Sequence, residues 1–328
     1  MDAWLTETAA NLGRKIESGD IDARDLTEAY LSAIDNHPYR DRIYARTTPD
    51  RARAEAATAA SRAKLGLRFG PLDGVPISWK DLFDTANVKT EAGTALLAGR
   101  TPDEDARVLH NATRNGLVCL GKTHMTELAF SGLGLNPVTA SPPNINDHDR
   151  VSGGSSSGAA TSVAFGLAVA GLGSDTGGSV RTPSAWNNLV GLKTRAGRLS
   201  LDGVVPLCAR FDTVGPLCRS VEDAALLLAA VGGGQPASLA GARLEGVRLA
   251  RLETSATENL RAPVDTAFED AVLRLSKAGA QVENIEIPAV AEAMALAPLL
   301  FAPEAYGTWS KVIEASPETM YPPVLERF

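Results

Sequence analysis

The sequence is short of several residue types, and each shortage removes a class of function. It has three cysteines, Cys119, Cys208 and Cys218. Their number is odd and their spacing wide, so neither a disulfide framework nor a zinc knuckle follows, and a reducing cytoplasm suits them best. Aromatic residues make up 5%, too few for a protein that binds mainly by stacking. Basic residues are outnumbered, 32 against 39 acidic, for a net charge of −7. That balance disfavours a nucleic-acid-binding face and a polybasic membrane anchor. No long hydrophobic run is present. The longest, around 224–231 and 291–302, are too short or too interrupted to span a bilayer. The opening residues lack the basic and apolar regions of a signal peptide. Histidine is scarce as well, and His37, His110, His124 and His148 all lie in the first half of the chain.

What is present reads as an ordinary globular chain. Hydrophobic residues account for 44% and charged residues for 22% over 328 residues. A chain of this mass buries about 74% of its unfolded surface, enough for a core without staples. Length alone suits two domains or one large α/β domain. Two amphipathic helices are predicted over 2–36, with Asp20 or Asp22 capping the second. A third opens at Thr48-Pro49-Asp50 and runs to about Lys64. A short buried strand is predicted over 75–79 with Lys80 at its end. Helix over 103–115, strand over 117–120, helix over 157–167 and strand or helix end over 168–172 follow. Strand 247–252, helix 264–278 and strand 282–287 complete an alternation that argues for α/β layers. The Gly/Pro-rich stretch 232–236 is the one linker candidate, and it reads as a loop inside a single domain.

The unusual stretch is 151–183. It holds Gly153-Gly154-Ser155-Ser156-Ser157-Gly158 and Gly173-Ser174-Asp175-Thr176-Gly177-Gly178-Ser179-Val180-Arg181. Thr176-Gly177-Gly178-Ser179 can present successive N–H groups to an oxyanion, because glycine allows close approach and positive φ. A nucleophile beside such a nest suits acyl transfer. Gly154–Gly158 also matches a G-x-S-x-G elbow centred on Ser156, but that arrangement needs a histidine after the serine, and all four precede it. Ser61-Arg62-Ala63-Lys64 matches S-x-x-K, yet it sits in a polar Ala/Arg helix with no companion motif. No phosphate-binding glycine motif is complete. With no histidine downstream, a lysine can activate a serine if it is neutral, although a lysine at a strand end is more often solvated. Lys80 is the candidate, since burial at a strand end would lower its pKa toward neutrality.

These segments resemble the amidase signature family of Ser–Ser–Lys hydrolases. Residues 70–81, Gly-Pro-Leu-Asp-Gly-Val-Pro-Ile-Ser-Trp-Lys-Asp, are similar to its G-P-L-x-G-[IV]-P-x-x-x-K-D. Residues 153–158 resemble G-G-S-S-[GS]-G, and 173–181 resemble G-[ST]-D-T-G-G-S-[IV]-R. Gly121-Lys122-Thr123, Met125-Thr126-Glu127, Gly191-Leu192-Lys193-Thr194 and Asp212-Thr213-Val214-Gly215-Pro216 extend the likeness. The resemblance is close over about 1–235 and loose beyond.

The resemblance implies a three-layer α/β/α fold around a mixed, mostly parallel sheet. It implies Ser179 as nucleophile, Ser155 on a cis peptide bond as proton relay and Lys80 as general base, a known replacement for the histidine triad. The amides of Thr176, Gly177, Gly178 and Ser179 would form an oxyanion hole, with Ser156, Asp175 and Arg181 holding the loops. It implies hydrolysis of a linear small-molecule amide without metal or organic cofactor, and a homodimer is possible. Two alternatives stand beside it. One is the A subunit of a tRNA-dependent amidotransferase, which releases ammonia from glutamine and works with partner subunits. The other is a non-catalytic α/β scaffold. The sequence departs from the family at His124, where asparagine is usual; a structural substitution is expected there. It also lacks the family's later F-D-x-[LI]-[LIV]-x-P-T-like strand. The expectation is therefore one domain over 1–328 without the usual C-terminal segment, and a chain that acts poorly or associates when made alone.

Overall fold

A computed structural model describes residues 2–328. Met1, the first residue of the expected domain, lies outside them. The described residues divide into two compact units. One is Ser238–Pro303; the other holds the residues up to Ala237 together with Glu304–Phe328.

The larger unit is built on a six-stranded sheet. Its strands are β1 (Tyr44–Thr47), β2 (Pro76–Lys80), β3 (Val118–Thr123), β4 (Ala170–Ser174), β5 (Val190–Gly191) and β6 (Val214–Cys218). They lie in the order β1-β3-β2-β4-β6-β5. The central strands β3, β2 and β4 are parallel, while β1 and β6 run against their neighbours and β5 runs against β6. The mixed α/β class expected from the sequence is what the chain adopts, with β2, β3, β4 and β5 sharing one direction. β2, β3 and β4 are buried along their whole length, as parallel strands covered on both faces must be, and the antiparallel β6 is buried as well.

Local chemistry accounts for the helix boundaries. Helix Ala9–Ser18 begins at Thr8, whose hydroxyl accepts from the Asn11 amide, and ends at Gly19 in the left-handed region. Helix Ala23–Asp35 is capped by Asp22 through the Arg24 amide, so Asp22 rather than Asp20 is the cap. Helix Pro49–Lys64 starts on proline, whose missing N–H costs nothing in the first turn. It buries only alanines, Ala52, Ala56, Ala59 and Ala60. Helix Arg107–Arg114 precedes β3, and helix Val221–Gly232 follows β6.

Helix Ser157–Ala164 positions the site. It is almost wholly buried and made of small residues. Its Ala159 and Ala160 pack with Val180 and Leu217. The approach is close on both sides. A Cβ on Gly171 of β4 would meet the Ala159 carbonyl oxygen at 2.8 Å, and one on Gly158 would meet the Ile43 and His124 backbones at 2.6 and 2.7 Å. Small side chains are what let this helix lie against the sheet.

The smaller unit is a β-α-β element. Strand β7 (Arg248–Glu253) pairs in parallel with β8 (Gln281–Glu286), joined by helix Ala262–Lys277. Helix Pro288–Ala315 carries Pro298 and Pro303 in its interior, and its residues up to Pro303 belong to this unit. Among the described residues, no helix is long and apolar enough to cross a membrane.

Candidate active site

Three neighbouring segments bring polar groups to one end of the sheet. β2 ends on Lys80, β4 ends on Ser174, and the turn before helix Ser157–Ala164 carries Ser155 and Ser156. All four residues are buried. The Lys80 amine donates to Ser155 Oγ at 2.7 Å and to Ser174 Oγ at 2.8 Å. It is fully enclosed, and loss of water pulls its pKa from 10.5 to about 7. Asp212 and Asp175 act in the opposite direction by favouring the ammonium form, but desolvation is the larger effect.

The Gly154–Ser155 peptide bond is cis, as the resemblance implies. Ser155 is held from its carbonyl side by the Thr126 amide at 3.1 Å. Ser156 bonds to β4 twice. Its hydroxyl donates to the Ser174 carbonyl at 3.1 Å and accepts from the Ser174 amide at 3.3 Å. Its amide donates to the Ser179 carbonyl at 3.2 Å. The two glycine-rich segments are thereby joined through backbone. Ser179 itself is 8% exposed, and its hydroxyl takes no side-chain partner among the described residues.

Asp175 organises the turn that follows β4. Its Oδ1 accepts from the Gly178 amide at 2.8 Å and from Arg181 Nη2 at 3.0 Å. Its Oδ2 accepts from the Val180 amide at 3.1 Å, the Arg181 amide at 3.3 Å and Arg181 Nε at 3.0 Å. Burial pushes this carboxyl up, yet the Arg181 guanidinium and these amides outweigh it and hold its pKa below the usual range. The carboxylate is thus the wrapped core of the turn, and Ser179 is carried on its rim. The sequence places Gly178 among the oxyanion donors. Its N–H is aligned on Asp175 Oδ1 at normal hydrogen-bond distance. Among the described residues the amides of Thr176, Gly177 and Ser179 have no partner, and Gly177 is exposed.

The Amidase family model matches residues 25–326. The chain belongs to the amidase family. Among curated relatives, the A subunit of the glutamyl-tRNA(Gln) amidotransferase from Anaeromyxobacter dehalogenans (strain 2CP-C) is 37% identical over 297 residues, covering 87% of this chain and 60% of that protein. Its counterpart from Thermobifida fusca (strain YX) is 34% identical over 309 residues, covering 90% and 62%. The chain spans about three-fifths of the length of these relatives. Among solved structures, that of an amidase superposes with a TM-score of 0.88 at 32% identity, covering 98% of this chain and 73% of that one. The native peptide amidase from Stenotrophomonas maltophilia superposes at 0.80 with 29% identity, covering 98% and 74%.

In this amidase-family chain the structure brings Lys80, Ser155, Ser156 and the 175–181 turn together. Two polar groups at the same place are not evident from the sequence. Ser174, the second partner of Lys80, lies inside the 173–181 motif but is neither the serine expected to be the nucleophile nor one of the glycines. Asp212 lies inside the 212–216 motif, and its signal is a carboxylate heading an otherwise apolar strand. It accepts from Thr176 Oγ1 and from the Leu207 and Cys208 amides, the latter two at 2.9 and 3.0 Å. His124 is half-buried and lines a cavity of about 320 Å³ with Arg46, Asp81 and Glu91. Desolvation holds its pKa down at about 4, so it is neutral at ordinary pH. The S-x-x-K serine, Ser61, is exposed and donates to the Ala57 carbonyl of its own helix, far from any role in this site.

Proposed function

We propose that this chain hydrolyses the C–N bond of a linear amide through an acyl-enzyme on Ser179. The observation that carries the reading is the buried Lys80 amine within 2.7 Å of the Ser155 hydroxyl, its pKa lowered to about 7 by desolvation. A serine hydroxyl needs a base near neutral pH, and a neutral amine is one. Such an amine has two N–H groups and one lone pair. With one N–H given to Ser174, the lone pair is free to take the Ser155 proton.

The steps follow. Ser179 Oγ attacks the carbonyl carbon of the amide, its proton passing to Ser155 Oγ as the Ser155 proton passes to Lys80. The amides of Thr176, Gly177 and Ser179 meet the developing oxyanion. Lys80 returns its proton through Ser155 to the leaving nitrogen, the C–N bond breaks, and ammonia or an amine departs. Water then attacks the Ser179 ester by the same route and releases the acid. Ser156, Asp175, Gly178 and Arg181 hold the two turns in register. The reading needs no metal or organic cofactor, and free buried thiols at Cys119, Cys208 and Cys218 suit a reducing cytoplasm.

A second reading is favoured by the curated relatives, which are named as amidotransferase subunits. In it the same residues release ammonia from glutamine for partner subunits. The test is a fluorophosphonate probe followed by mass spectrometry of the labelled peptide, with an amide panel that includes glutamine. Label on Ser179 and turnover of several amides supports the stand-alone hydrolase. Turnover confined to glutamine and dependent on co-purifying subunits supports the second reading. Absence of label on Ser179 refutes both and leaves a non-catalytic scaffold.

A further inference from the structure

Asp212 is nearly fully buried, 6% exposed, and its side chain is met by donors. Oδ1 takes the Thr176 hydroxyl; Oδ2 takes two successive amides, Leu207 and Cys208. Burial pushes its pKa up, while the Thr176 hydroxyl, the two amides and nearby Lys80 pull the other way and favour the carboxylate. Thr176 is the first of the amides left open beside Ser179. Its neighbour Asp175 is pinned to Thr213 by paired backbone bonds and by the Thr213 hydroxyl at 2.6 Å. Thr176 has no such backbone pairing among the described residues, so its side chain is the anchor that fixes where its N–H points.

We propose that Asp212 is a positioning residue of this site, which holds Thr176 against the Leu207–Cys208 turn and thereby sets the oxyanion side of the nest. The proposal rests on the reading of Ser179 and Lys80 given above. It adds an electrostatic consequence. The charges facing Lys80 are Asp175 and Asp212. Asp212 in turn faces Lys80 and the Cys208 thiol, beyond which Glu304 is paired with Arg210. Asp175 is compensated by Arg181, whereas among the described residues no cation bonds directly to Asp212. The Asp212 carboxylate therefore favours the ammonium form of Lys80 and keeps the base from becoming too weak to accept a proton.

The substitution Asp212→Asn removes the charge and leaves one accepting oxygen, so either Thr176 or the 207–208 amides lose their partner. Thr176→Val removes the same hydrogen bond without changing charge. Both are made in the full chain and compared with wild type by the second-order rate of fluorophosphonate labelling across about pH 5.5–9. Thr176→Val is expected to label about tenfold more slowly with the acid limb of the profile unmoved. Asp212→Asn is expected to slow labelling by a similar factor at high pH and to move the acid limb down by about one pH unit, because a lysine without an opposite charge nearby gives up its proton more readily. A folded Asp212→Asn protein with the wild-type limb overturns the electrostatic part, and wild-type rates for Thr176→Val overturn the positioning part. Should Asp212→Asn fail to fold, Thr176→Val still decides the positioning claim. Failure of the underlying reading looks different, since wild type itself would then not label at Ser179.

Discussion

Lys80 and Ser155 are 75 residues apart in the chain and 2.7 Å apart in space. The first is the last residue of a buried strand, and the second lies just before a buried helix. Neither can be displaced by solvent motion, so the geometry of this pair is a property of the core rather than of a mobile loop.

Replacing Ser179 with alanine is expected to reduce amide turnover by roughly four orders of magnitude or more and to abolish fluorophosphonate labelling. The melting temperature should stay close to wild type, because the Ser179 side chain holds nothing else in place. Ser155→Ala should retain a trace of activity, since nucleophile and oxyanion amides remain. Steady-state rates and thermal melts on the two variants check this; normal turnover by Ser179→Ala would remove it as nucleophile.

Activity should rise with pH through about 7 and level off above it. The lowered pKa of Lys80 means that the amine is increasingly neutral, and able to accept a proton, as pH climbs past that value. Below it the ammonium form predominates and the relay stops. Lys80→Ala should lower the rate by about 10²–10⁴-fold and lose the limb near pH 7. A pH–rate profile on both proteins is the measurement, and an unchanged limb in the variant would assign it to another group.

Asp175→Ala should cost stability as well as activity. The amides of Gly178, Val180 and Arg181, the first two buried, would lose their acceptor together. The expected destabilisation is roughly 3 kcal/mol or more, read from a urea or thermal transition. Asp175→Asn should fall between, since it keeps one oxygen. A melting curve for Asp175→Ala that overlays wild type would contradict this account of the turn.

Gly158→Ala should be far more harmful than one methyl group suggests. The added carbon would sit 2.6–2.8 Å from backbone atoms of Ile43 and His124, which cannot swing aside as a side chain can. Either the helix shifts, taking Ser155 with it, or the chain does not fold. The comparison is with Gly132→Ala, where a Cβ meets nothing within 4 Å. Equal activity in the two variants would show that the close helix–sheet approach is dispensable.

Much of the site is legible in the sequence because its parts are local. Lys80 follows a run of buried residues, Ser155 lies in a glycine-rich turn, and Asp175 and Ser179 share one short motif; all of them follow from neighbours in sequence. The helices and strands around them are legible for the same reason, Pro49–Lys64 above all, where a Thr-Pro-Asp start and an alanine face leave little choice. Ser174 and Asp212 are harder. Their roles come from contacts across 94 residues to Lys80 and 36 to Thr176, and nothing adjacent in the chain announces a long-range hydrogen bond. The two-residue strand β5 and the outer strand β1 do not show in the sequence, because short edge strands carry no periodicity to read. Of the four amides over 176–179, that of Gly178 is taken by Asp175. Which way a glycine N–H points is decided by the carboxylate it finds, here Asp175, and not by the glycine.

The enclosure of Lys80 has one more consequence, for the timing of a catalytic cycle. An ammonium ion formed at that position is bonded to two hydroxyls and lies in the field of Asp175 and Asp212, with no bulk water to stabilise it. With its pKa lowered to about 7, it lies close in free energy to the neutral amine near neutral pH. Within the proposed cycle the proton taken up by Lys80 is therefore easily given back, outward along the hydroxyl through which it came. A base made competent by burial is for that reason also a prompt acid. The departing nitrogen meets a donor already primed to protonate it, and the site resets itself before the second half of the reaction begins.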